Sequence, residues 1–207
     1  MGEILNDVIL DIRVNSRIVR EPMSFSVNAD DIVTLGPRAM AAADKAALLR
    51  QRSAEKHFRP DAHGFKGDGL AIHRLGCFTE IAFALWVALP WTAYLETLPR
   101  GNKPPDVGDD FQVRGSVRSD APLRSHKSDS DSERFVRATW NPDDPEFVHF
   151  HGWVYGREAK VNWVERPKDR SCYERSVFWL ARMETIPELK IPLYPYTPAE
   201  FFGEWKR

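Results

Sequence analysis

Leu70-Ala71-Ile72-His73-Arg74-Leu75-Gly76-Cys77-Phe78-Thr79-Glu80-Ile81-Ala82-Phe83-Ala84-Leu85-Trp86 is the stretch on which the fold turns. It is too long for a strand and apolar on most sides, which predicts a buried, central helix. One carboxylate interrupts it. The neighbours of Glu80 at helical spacing are Gly76, Cys77, Phe83 and Ala84, so the acid sits in an apolar face. Burying a carboxylate alone is costly, and a base, a set of hydrogen bonds or a metal must compensate. Gly76 and Ala84 leave room for another element, or an ion, to approach. A structural pair with an arginine and a functional ligand both satisfy this stretch.

Upstream, 37–58 reads as a helix. Pro37 suits a first turn, and the alanine-rich run after it has high helix propensity. Residues 37–66 hold seven bases against three acids, either a solvated helix face or a phosphate-facing patch. Further upstream, Leu10, Ile12 and Val14 alternate with Asp11 and Arg13, the period of a half-buried strand. Residues 17–20 and 24–27 are further strand candidates. Residues 1–36 therefore read as a strand-rich extension, a sheet edge or the arm of a homodimer.

Downstream, a Pro/Gly/Asp loop (99–108) leads to a strand over 111–117. A Ser/Asp-rich charged excursion (119–134) follows. Strands over 135–140 and 147–155 flank the turn signal Asn141-Pro142-Asp143-Asp144-Pro145. The tail from Arg157 is Pro-rich, with Trp163, Phe178-Trp179-Leu180 and Trp205 as expected packing anchors. Strands, then helices, then strands predict an α+β fold, with a central mixed sheet against helix 70–86 and the core over 37–207.

Composition narrows the class. The chain has 207 residues, enough for one domain with a real core. Its formal charge of −1 excludes a globally basic nucleic-acid binder, so any such surface must be local. Two cysteines fit a reducing compartment. No secretion leader is evident at Met1-Gly2-Glu3-Ile4, and the longest apolar run, Ile81 to Leu89, falls short of a membrane helix. The expected location is cytoplasmic, with no membrane partner.

The second chemical segment is Pro105-Asp106-Val107-Gly108-Asp109-Asp110-Phe111-Gln112-Val113-Arg114. With a period of two, Phe111 and Val113 face the core while Gln112 and Arg114 project together from the other side. An acid, an amide oxygen and a guanidinium on one patch suit a hard divalent cation and a phosphate. A solvated hairpin edge is the alternative. His149 and His151 share one strand face, but no third ligand at metal spacing accompanies them.

A helix with a buried Glu, then Pro-Asp in a loop, then a strand carrying acid-x-Lys, resembles the PD-(D/E)XK nuclease superfamily. The likeness is to its phage-type and Holliday-junction-resolvase-like branches. Gly76-Cys77-Phe78-Thr79-Glu80-Ile81-Ala82 matches the helix segment, Pro105-Asp106 the Pro-Asp, and Gln112-Val113-Arg114 stands where Glu-x-Lys is expected. Phe150-His151-Gly152-Trp153-Val154-Tyr155-Gly156 resembles the Gly-Trp strand of small phage-borne members, and Ile186-Pro187-Glu188-Leu189 their closing segment. The likeness covers roughly residues 66–195.

The resemblance implies a restriction-endonuclease-like core and metal-dependent phosphodiester hydrolysis of double-stranded or branched DNA. Glu80, Asp106, the amide oxygen of Gln112 and the backbone carbonyl of Val113 would hold Mg²⁺ or Mn²⁺. Arg114 would replace the lysine at the scissile phosphate. Asp109 or Asp110 could supply the carboxylate that Gln112 lacks. Because Gln112 brings no charge and Arg114 cannot act as a base, a decayed site serving as a DNA- or protein-binding module is the competing expectation. Lys66, Arg118, Arg157, Lys160 and Arg166 are the expected phosphate contacts, with Trp163 and Tyr173 interleaved among the bases of 157–175.

Overall fold

The structure, a computed structural model, describes residues 6–14, 17–56, 68–93, 104–165 and 171–190. Asp68 opens the central helix, its side chain accepting from the Leu70 N–H, and α2 runs Gly69–Val87. From Cys77 to Leu85 every residue is buried. Burial of Phe78, Ile81, Phe83, Leu85 and Val87 contributes on the order of 10 kcal/mol before entropy is charged against it.

The reason for this burial is the sheet around the helix. β1 (Asn6–Val14), β2 (Arg17–Val27), β3 (Ile32–Leu35), β4 (Trp91–Thr92), β5 (Phe111–Ser116), β7 (Arg134–Trp140) and β8 (Phe147–Tyr155) form one mixed sheet in the order β4-β1-β2-β3-β8-β7-β5. All of these strands contact α2. The two sheet ends meet through Val107, which bridges Trp91 on one side and Phe111 on the other. The sheet thus curls round α2. By length and mean hydropathy α2 could cross a membrane, contrary to the expectation that no run is apolar enough, and more than half of its most apolar window is buried in the protein.

α1 (Pro37–Lys56) packs on α2 and β2. Its buried residues, Ala39, Ala43, Ala46 and Ala47, recur at helical spacing, and small side chains let two helices approach closely. The α+β class and the helix-flanked mixed sheet agree with the sequence. The N-terminal strands, expected as an outer extension, are built in: β2 and β3 lie mid-sheet, and Met23, Phe25, Val33 and Leu35 belong to the core. Pairing of β3 with β8 requires this, since β8 would otherwise expose one edge.

The charged excursion folds back over the other face of the main sheet. β6 (Leu123–Ser125) joins β10 (Cys172–Arg175) and β9 (Asn162–Val164) in a second, three-stranded sheet. Leu123, Phe135, Val154 and Ala159 make a small core beneath it, Ala159 from the short helix α3 (Gly156–Ala159). Arg137, 1% exposed, fastens the excursion by donating to the carbonyls of Arg118 and Ala121. Burial, with nearby Arg124, pushes its guanidinium down to about 10.

Candidate functional site

Glu80 points into the interior, 3% exposed, and its compensation is a base. Arg50 of α1 grips both carboxylate oxygens, Nη1 to Oε1 at 3.0 Å and Nη2 to Oε2 at 2.6 Å. The Trp91 indole N–H adds a bond to Oε2 at 3.1 Å. A Cβ at Gly76 would meet Arg50 Nη1 and Glu80 Oε1 at 3.5 Å, an ordinary contact, so the pair does not depend on glycine there. Burial alone would lower the Arg50 pKa. The Glu80 carboxylate, with help from Cys77 and Asp106, outweighs burial and raises it.

Asp106 is 2% exposed. Its Oδ2 accepts from the Val113 N–H at 2.9 Å. Its own N–H donates to the Phe111 carbonyl, and its carbonyl accepts from the Thr92 N–H, both at 2.8 Å. The loop acid is thus fastened between β4 and β5. Gly108, at φ 59°, makes the turn between Val107 and Phe111, and the next position of that antiparallel register sets 106 opposite 112.

Strand alternation then divides the expected residues. Phe111 and Val113 face α2, with the Phe111 ring edge-on to Phe83 at 4.9 Å. Gln112 and Arg114 project to the other face, under the excursion. The Gln112 amide lies 3.5 Å from Glu133 Oε1 and takes a long bond of 3.4 Å from Arg114 Nη1. Arg114 pairs with Asp129 at 3.1 Å and lies 5.0 Å from the Phe135 ring centroid. Burial raises the Glu133 pKa, and the Gln112 contact offsets part of that. The spare carboxylates are engaged elsewhere. Asp110 takes a fork from Arg134, at 2.7 and 2.8 Å, and Arg134 also forks onto Glu188 and stacks on Phe111. Asp109 is exposed and pairs with Arg13.

Among the described residues no three His, Cys, Asp or Glu side chains gather closely enough to cage a metal. Glu80 and Asp106 come to one neighbourhood, whereas the Gln112 and Arg114 side chains turn away from α2. Arg118 is exposed and forked onto Asp120, Arg157 lies over the Tyr155 ring, and Lys160 is spent on Asp131 and the Asp129 carbonyl. Lys66 and Arg166 lie outside the described residues, as does Trp205. His149 and His151 have ring centroids 4.2 Å apart, and Thr139 Oγ1 bonds His151 Nε2. Burial, then His149 and Arg137, push His151 down to about 4. A cleft of about 440 Å³ beside His149, lined by Thr34, Thr139 and Phe147, includes none of the expected acids.

Sequence reasoning gave no site role to Arg50 or Trp91 and did not link Asp129 and Glu133 to Arg114 and Gln112. Arg50 stood in the basic segment 37–66 and Asp129 in the Ser/Asp run, but nothing local pointed to their partners. No family model, curated protein or solved structure matches the chain.

Proposed function

We propose that the protein is a metal-dependent phosphodiester hydrolase of the PD-(D/E)XK type, acting on DNA. The observation that carries the reading is the Asp106–Val113 bond. It ties the loop acid to the strand that bears Gln112 and Arg114, while Trp91, which bridges Val107 next to Asp106, reaches Glu80 through its indole N–H. The donors on offer on the helix side are hard oxygens, two carboxylates and the Val113 carbonyl, which suit Mg²⁺ or Mn²⁺, while the Gln112 amide faces the other side of β5. Such an ion would supply Lewis acidity and a more acidic bound water. Arg114 would offer a phosphate a permanently charged fork from the face of β5 turned away from Glu80, once released from Asp129. Asp106 would keep its orientation through the Val113 N–H.

A specific observation favours a second reading. Arg50 already fills the Glu80 carboxylate with a cation, as expected of a decayed site that binds DNA or protein without cutting. Thermal melting with Mg²⁺ or Mn²⁺, run beside cleavage of duplex and branched DNA, separates the two. The nuclease reading expects the melting temperature to rise by a few degrees in excess metal. The rise and the cleavage should both vanish in Asp106→Asn, which keeps an oxygen for the Val113 N–H. No rise and no cleavage in the wild type, with DNA binding intact, would leave the second reading standing.

A further inference from the structure

Phe178 and Trp179 were expected as packing anchors, but they are 91% and 74% exposed, more than any other large apolar side chain among the described residues. Leu180 alone of the three packs, against the small core. The two rings are held outward by a pinned backbone. They lie on the 3₁₀ turn Val177–Trp179, where Ser176 Oγ accepts the Phe178 N–H. Arg175 donates twice to the Trp179 carbonyl, at 3.1 and 2.9 Å, and once to that of Glu158 at 2.6 Å.

Further aromatic and cationic groups lie on the small sheet that this turn follows. Tyr173 precedes Arg175 by two residues on β10 and so shares its face. Its ring meets Trp163 edge-on at 4.9 Å, and Lys127 Nζ lies 4.3 Å from the Trp163 ring centroid. Arg157, next to Glu158, covers Tyr155 at 5.1 Å. Among the described residues no carboxylate pairs with Lys127, Arg175 or Arg157, although Arg124, Lys160 and Arg182 all have one.

We propose that Lys127, Trp163, Tyr173, Phe178 and Trp179, the last two held outward by Arg175, form a platform for single-stranded nucleic acid. Two adjacent exposed rings can stack on unpaired base faces, which a duplex keeps inside its own stack, and Lys127 and Arg157 answer the phosphates, while Arg175 is spent on holding the rings outward. A membrane surface also takes Trp, Phe and Arg, but it favours one amphipathic helix with the aromatics along one face. Here cations and rings alternate across two strands and a turn. The proposal rests on the nucleic-acid reading above and names its substrate as an unpaired or frayed strand.

The test is binding of an oligo-dT of about 15 nucleotides in EDTA, followed by anisotropy and by quenching of tryptophan fluorescence. Wild type is expected to bind with quenching, and Phe178→Ala/Trp179→Ala to bind about ten-fold more weakly, or worse, at an unchanged melting temperature. The aromatic-keeping pair Phe178→Tyr/Trp179→Phe should retain the affinity. Equal binding by the alanine pair would overturn the proposal. So would a wild-type preference for blunt duplex, or a loss seen only on anionic vesicles or in self-association. Because no metal is present, failure of hydrolysis leaves this outcome untouched, and failure here leaves the melting shift to be judged alone.

Discussion

Arg50 and Glu80 show how strongly one buried residue depends on another. Their side chains are 13% and 5% exposed, and Glu80 lies in an otherwise apolar face. Removing the arginine strands a carboxylate, whereas removing both leaves only a packing defect. Arg50→Met should therefore destabilise the fold by about 3–5 kcal/mol, and Arg50→Met/Glu80→Gln by markedly less. Urea unfolding of both variants checks this, and equal losses would contradict it. The pair was half-legible. Glu80 announced that it needed a partner, but Arg50 stands 30 residues away on another helix, and no local pattern links the two. Phe178 and Trp179 mislead for the opposite reason: hydrophobicity says what is worth burying, and only the fold says what is covered.

At the scale of elements, the end of α2 shows a residue working against its own preference. Ala88 caps the helix in the left-handed region at φ 53°, sending its N–H to Ala84 and Leu85. Glycine is the usual residue there, because a Cβ is strained in that conformation. Ala88 is exposed, so little packing would be lost. Ala88→Gly should stabilise the protein by about 0.5–1 kcal/mol, read as a higher melting temperature. The strands were legible from alternation and turn residues. The second sheet was not, since β6, β9 and β10 are three or four residues long and exist only because the excursion folds back. Asp129 and Glu133 reach Gln112 and Arg114 through that same fold.

For the molecule as a whole, α2 is both the axis and the deepest element. All seven strands of the main sheet contact it, so its amides cannot open without dismantling the core. Hydrogen exchange should find the amides of 77–87 the slowest in the chain, exchanging only by global unfolding, while those of β9 and β10 exchange earlier. Early exchange in α2 would contradict this. Class and layering were legible because the apolar run, the alternating strands and the alanine-rich helix all favoured one architecture. Curling was not legible, because it depends on the backbone of 106–108 bonding to both edges. Val107 acts as the clasp of a bracelet around α2, and Asp106 sits on the adjoining link. Loosening of the clasp would free the acid from Val113, so access to that carboxylate is coupled to a short run of backbone hydrogen bonds across 106–108.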